Sequence, residues 1–221
     1  LSGHLRVQIL PLPGIIDLGR AIFKFMDLYP KVTVEIITGS VETDLIENHI
    51  DVAFRIGDKL EDSSLIARPF LSASFGYYAT PSYIAKNGMP KKPEDMINHN
   101  FIRFRYPNGH LYTKMPLGQD KIIEGSGNLI MNSVPLIVEA CLQDRGIILL
   151  PEPLADYYIE RGMLVRLFAD IEPSMSYGWL VYPSRKYLSL TVRTFIDHML
   201  TEAEQIGICQ NIEGDIRGMS I

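Results

Sequence analysis

The chain has 221 residues, with 21 basic against 26 acidic side chains for a formal charge of −5, and is 47% hydrophobic and 21% charged. These values match a globular chain with room for one large or two small domains, and they exclude disorder, collagen-like repeats and coiled coil as the main state. They also make the chain by itself a poor nucleic-acid binder: non-specific affinity for DNA comes from Lys and Arg neutralising phosphates, and the densest basic clusters here are only Lys91 with Lys92 and Arg185 with Lys186.

Leu5, Val7 and Ile9 alternate with His4, Arg6 and Gln8, the period of a half-buried strand. From Gly14 the period changes. Ile15, Leu18, Ile22, Phe25, Met26 and Tyr29 fall on one helix face, and Pro30 ends the helix. A second strand is predicted over 32–37, then a short helix capped by Ser40 or Thr43 and running through Ile46. A third strand is predicted over 51–56, almost continuously apolar as a buried parallel strand is. Strand, helix, strand, helix, strand is the parallel α/β pattern.

Beyond Gly57 a strand is predicted over 72–79. Thr80 and Pro81 supply an N-cap and a first-turn proline for a helix that Gly88 ends in a left-handed cap. Strands are predicted over 101–105, 111–115 and 121–130. Asn132 and Ser133 then cap an apolar helix carrying Val134, Ile137, Val138, Cys141 and Leu142, with Gly146 just past its end. The remainder reads as a strand over 147–150, a short helix over 153–160, and strands over 164–168 and 177–182. A long helix follows over 188–202, with Val192, Phe195, Ile196 and Met199 on one face. The tail, 206–221, has no periodicity and is expected to be flexible.

Two α/β units of this kind predict two lobes. Lobe I comprises 3–72 and 177–205, lobe II comprises 73–176, and the chain crosses near 71–75 and returns near 174–178. Open α/β sheets bind ligands outside the carboxyl ends of their strands. Those ends are expected to converge on one central cleft, and they nominate Leu10, Leu12, Pro13, Gly57, Asp58, Asn132, Ser133 and Pro151 as binding residues.

Catalytic and metal constellations are missing from the pattern. The histidines at 4, 49, 99, 110 and 198 are scattered with no metal-ligand spacing, and Glu35 and Asp51 read as solvated or capping charges. Cys141 lies on the apolar face of its helix and reads as core. No Gly-x-Gly-x-x-Gly follows the first strand and no Gly-Lys-Ser is present. The expectation is therefore no metal, no cofactor and no enzymatic turnover, but reversible binding of a small molecule. At Asn132 and Ser133 the helix N-terminus suits a carboxylate or other anion, or Ser133 simply caps its helix. Two cysteines, Cys141 and Cys209, form no disulfide framework. With no signal-peptide pattern and no apolar run of bilayer length, a cytoplasmic location without membrane association is expected.

Several motifs, in order and spacing, resemble a known family. In the first part of the chain they are Gly3-x-Leu5-Arg6-Val7, Tyr29-Pro30 after Phe25, Asp51-Val52-Ala53-Phe54-Arg55-Ile56-Gly57 and Asp62-Ser63-Ser64-Leu65-Ile66-Ala67-Arg68. Tyr78-Ala79-Thr80-Pro81-Ser82-Tyr83 with Gly88-x-Pro90 follows, then the His99 segment and Gly146-Ile147-x-Leu149-Leu150-Pro151. Gly162-x-Leu164-Val165, Val181-Tyr182-Pro183, and Leu188-Ser189 before Val192-Arg193-x-Phe195-Ile196-Asp197 complete the set. Together they resemble the C-terminal effector-binding domain of LysR-type transcriptional regulators over roughly residues 3–202.

The resemblance implies an α/β fold like the type 2 periplasmic binding proteins, with two Rossmann-like lobes, two crossover segments and the effector in the cleft. It implies a homodimer or homotetramer, and DNA contact only through a winged helix-turn-helix domain and a dimerising linker helix that would precede Leu1. Part of the first helix is expected at a side-by-side dimer interface. Two departures bear on the ligand. Leu12 stands where relatives commonly carry a hydroxyl, and Asp144 stands where they often carry glycine. A less polar or differently anchored effector is expected, an organic acid or aromatic metabolite with Asn132 and Ser133 as the main polar anchors. A solute-binding protein of a transport system shares the fold and is the alternative reading.

Overall fold

The computed structural model describes residues 1–9, 15–38, 44–56, 64–105, 109–117, 121–172, 174–184 and 188–205. The tail read as flexible lies outside the described residues, as do the helix caps Ser40 and Thr43. The chain divides into two compact units, Leu1–Ser72 with Ser176–Ile221, and Ala73–Met175.

Unit 1 begins with the predicted parallel pattern: β1 (Gly3–Ile9), α1 (Ile15–Leu28), β2 (Val32–Thr38) and β3 (Val52–Ile56). β1 lies between the other two strands, parallel to both, with Leu5 opposite Val34 and Val7 opposite Val52. Two long strands extend this sheet, β4 (Leu65–Ala79) and β11 (Ser174–Pro183), in the order β4-β11-β3-β1-β2. β11 is antiparallel to β3. On one sheet face Leu5, Val7 and Phe54 pack with Ile22 and Phe25 of α1 and with Phe195 and Met199 of α5 (Leu190–Gln205). Phe25 meets Phe195 edge to face at 5.0 Å, an arrangement the ring quadrupoles favour. Lys24 Nζ donates to Glu202 at 2.6 Å and ties the two helices together. The other face carries Leu45, Ile50, Ala53, Trp179 and Val181.

The start of the short helix expected through Ile46 lies outside the described residues, and the described part forms turns over 45–49. Asp44 accepts from the N–H groups of Ile46 and Glu47, but Ile50 N–H bonds back to Leu45 and His49 takes a left-handed φ of 53°. That residue reverses the chain after one turn, so no helix propagates.

Unit 2 is built around β4, which is flanked by two antiparallel neighbours, β9 (Ile148–Pro151) and β10 (Val165–Leu167). The strand expected from Ser72 begins at Leu65, because one strand serves both units and its polar midsection hides the continuity. α2 (Pro81–Asn87) carries the expected cap, with Thr80 accepting from Tyr83 N–H at 3.1 Å and Gly88 at φ 85° closing it.

A 3₁₀ turn over Pro93–Asn98 leads to β5 (Arg103–Phe104), and β6 (Lys114–Leu117) and β7 (Lys121–Glu124) form a hairpin. The strand expected over 121–130 is interrupted before β8 (Ile130–Met131). Ser126 C=O accepts from Phe101 N–H, and a Cβ at Gly127 would stand 2.0 Å from the Phe101 carbonyl, so only glycine lets the chain turn off the hairpin there. α3 (Val134–Leu142) and α4 (Glu152–Ile159) complete the unit. The left-handed residue after α3 is Asp144, at φ 59°, rather than Gly146. The hydroxyls of Thr80 and Ser82 donate to the Asp144 carboxylate and hold it in that conformation.

Candidate functional site

Leu10, Leu12, Pro13, Gly57 and Asp58 lie outside the described residues. The other nominated residues, Asn132, Ser133 and Pro151, belong to unit 2, and strand pairing relates them. β5 and β8 are parallel, with Phe104 opposite Met131, and Arg105 N–H donates to the Met131 carbonyl at 2.8 Å. Arg105 therefore stands level with Asn132 at the carboxyl edge. The stretch leading into β5 is bridged in parallel to the start of β9 at Phe101 and Ile147, with Ile102 N–H donating to Ile147 at 2.9 Å. The carboxyl ends of β8 and β5 thus form one edge that carries Asn132 and Arg105, and Pro151 ends β9, which pairs with β4.

Ser133 is the N-cap residue of the nine-residue α3, with extended backbone, but its side chain makes no cap hydrogen bond. Ser133 thus holds the cap position expected of it, without the side-chain hydrogen bond that a capping serine usually makes. Pro135 occupies the first turn and removes one N–H, and the Ser133 carbonyl accepts from Ile137 at 3.0 Å. The N–H groups of Val134 and Leu136 belong to the unpaired set at any helix start and, with the macrodipole, favour an anion. Asn132 is exposed and Ser133 half-buried.

Sequence reasoning missed Arg105. Its guanidinium is exposed and donates from Nη1 to the Gly109 carbonyl at 2.8 Å. The sequence signal was the alternation of Arg103 and Arg105 at the end of a predicted strand, but only the pairing with β8 gives it meaning. Pro151 is buried at the end of β9, opposite Phe75, and leads directly into α4.

The residues weighed for catalysis have structural surroundings. Glu35 pairs with His4 at 3.0 Å and forms an ion pair with Arg6, whose Nη2 donates to Glu35 Oε1 at 3.4 Å, and these contacts hold its carboxyl below the usual range. Asp51 accepts from Arg6 N–H at 3.0 Å. Cys141 is fully buried beside the Tyr78 carbonyl, and burial pushes its thiol up to about 12. A neutral thiol in an apolar core is a poor nucleophile.

The sequence profile of the LysR substrate binding domain matches residues 1–204. The HTH-type transcriptional regulator CrgA of Neisseria meningitidis serogroup B is 32% identical over 181 residues, 81% of this chain and 60% of CrgA. The uncharacterized HTH-type transcriptional regulator YcaN of Escherichia coli K12 is 28% identical over 217 residues, 95% of this chain and 68% of YcaN. The chain therefore spans 60% and 68% of these two relatives. The solved regulatory domain of N. meningitidis CrgA matches with a TM-score of 0.78 at 28% identity, over 92% of this chain and 100% of that one. Full-length AphB, a virulence activator of Vibrio cholerae, matches with a TM-score of 0.79 at 25% identity, over 90% of this chain and 68% of that one. With its type 2 periplasmic-binding-like α/β fold, the chain belongs to the LysR substrate-binding domain family, the effector-sensing regulatory part of LysR-type transcriptional regulators.

Proposed function

We propose that this chain senses a small organic anion, an aromatic or otherwise hydrophobic carboxylate, and passes its occupancy to a DNA-binding part of the same regulator. The observation that carries the reading is the shared edge of β8 and β5 at the start of α3. There a cation at Arg105, the uncapped start of α3 with the Ser133 hydroxyl, and Asn132 offer donors to a carboxylate. Pro151 offers an apolar wall. Leu10, Leu12, Pro13, Gly57 and Asp58 are proposed as the remaining contacts, and Leu12 in place of a hydroxyl favours an apolar ligand body. DNA contact is assigned to a part outside this chain, consistent with the helix-turn-helix relatives and with the charge of −5.

The relatives named above are transcriptional regulators, which disfavours the transport alternative. Among the described residues no helix is long and apolar enough to cross a membrane. The reading carries a cytoplasmic location and a homo-oligomer. A panel of aromatic and aliphatic carboxylates screened by thermal shift, followed by calorimetry on the hits, tests it. Loss of affinity in Leu12→Ala and Ser133→Ala is expected, and unchanged affinity in both overturns the site assignment.

A further inference from the structure

Glu152 opens α4 directly after Pro151, and its carboxylate reaches two other strands of unit 2. Ser74 Oγ donates to Glu152 Oε2. Arg166 Nη1 lies 2.5 Å from Glu152 Oε1. Ser74 is on β4, two residues past Ser72, where unit 1 ends. Arg166 is on β10 in register with Tyr78, and Pro151 is in register with Phe75. A single carboxylate thus joins the first residues of β4 in unit 2, the end of β9 and the edge strand β10.

An acid in the first turn of a helix is favoured by the macrodipole even with its side chain in water. Glu152 is instead turned onto the sheet. Its side chain is 23% exposed and that of Arg166 31%, so the pair is screened less than one at the surface. Ser74, Gly76 and Tyr78 share one face of β4. The Tyr78 ring folds back along that face, and a Cβ at Gly76 would stand 2.6 Å from the Tyr78 hydroxyl. Burial first, then the Glu152 charge, pushes the Tyr78 phenol up to about 12. Arg166 Nε is buried without a hydrogen-bond partner among the described residues, as is Glu152 Oε1, so the two side chains meet as a charge pair rather than through a hydrogen bond.

We propose that Glu152 is a positioning residue of the effector site: by holding Ser74 and Arg166 it locks Pro151 in register with the strand that arrives from unit 1. The inference rests on the reading of Pro151 as an effector contact, but the lock operates without effector. Hydrogen exchange read by mass spectrometry on the chain with no added ligand tests it directly. Glu152→Gln leaves Ser74 an acceptor and removes the charge facing Arg166, whereas Ser74→Ala removes the other arm. Each is expected to speed exchange in peptides spanning 72–78 and 148–153 by about tenfold, with α3 and β1 unchanged. The double variant Glu152→Gln with Arg166→Met should exchange no faster than either single variant, because both remove one pair, and Arg166→Lys should restore most of the protection. Acceleration spread evenly over unit 2, or none over 72–78, overturns the proposal. Failure of Ser133→Ala and Leu12→Ala to change carboxylate affinity would overturn the effector-site reading and leave this exchange result standing.

Discussion

The backbone N–H of Arg105 donates to the Met131 carbonyl at 2.8 Å, and this bond aligns the end of β5 with the start of α3. It brings a cation from one segment beside a helix N-terminus more than twenty-five positions later in the chain. A polar edge that no single stretch of sequence encodes results.

Arg105→Ala should weaken binding of a carboxylate effector by about tenfold or more, the usual value of a charge-assisted hydrogen bond. Thermal stability should barely change, because the guanidinium is exposed. Isothermal titration alongside a melting curve checks both halves. Equal affinity in the variant would remove Arg105 from the site.

The outer face of α1 carries Ile16 at 65% and Phe23 at 56% exposure, with Gly19 in line at helical spacing, and Met26, expected on the buried face with Ile22 and Phe25, is 37% exposed on this one. An apolar stripe of this kind is costly in water and suits a second copy of the chain. Phe23→Asp is expected to shift the chain from dimer toward monomer in sedimentation velocity while leaving its circular dichroism unchanged. A wild-type chain that stays monomeric at every concentration contradicts the expectation.

Phe25 is fully buried between the sheet and α5, against Phe195 and Tyr29. Truncation to Ala should cost about 3–5 kcal/mol, the range for a large aromatic side chain removed from a packed core. Chemical denaturation should show an earlier midpoint in the variant. An unchanged midpoint would mean that the interface between α1 and α5 contributes little.

Hydrogen bonds from Ser82 and then Thr80 hold the Asp144 carboxyl below its ordinary value of 3.8. The sign follows from linkage: a folded-state value below the unfolded one means stability that is present above the ordinary value and lost as pH falls through the folded one. Asp144→Asn should therefore lower the melting temperature at neutral pH, and the gap to the wild type should close as the pH drops below about 4. A gap that stays constant from pH 7 to pH 3 would assign the effect to the altered hydrogen bonds with Thr80 and Ser82 rather than to the charge, since asparagine takes the left-handed backbone as readily as aspartate.

Local pattern was enough for much of the fold. The alternation in β1, the apolar stripe of α1, the continuous apolar run of β3 and the Thr80 cap before Pro81 were all legible, since each depends on neighbours within one or two turns or on one strand's two faces. The length of β4 was not, because a strand shared by two units is half-buried differently along its course and shows no single alternation. The break at Gly127 depends on the Phe101 carbonyl, which lies 2.0 Å from the absent Cβ yet far away in sequence.

Of the candidate site, Asn132, Ser133 and Pro151 could be named from strand ends alone, while Arg105 could not. By itself the sequence determined the α/β class, the resemblance to the family and a net charge of −5 that makes the chain alone a poor nucleic-acid binder. Tertiary structure alone decided that the ends of β8 and β5 share an edge, that Ser133 makes no side-chain bond to its helix, and that Glu152 reaches Ser74 and Arg166. The physical reason is that periodicity reports which face of an element is buried, whereas register and hydrogen-bond choice are settled only when distant segments compete for the same partners.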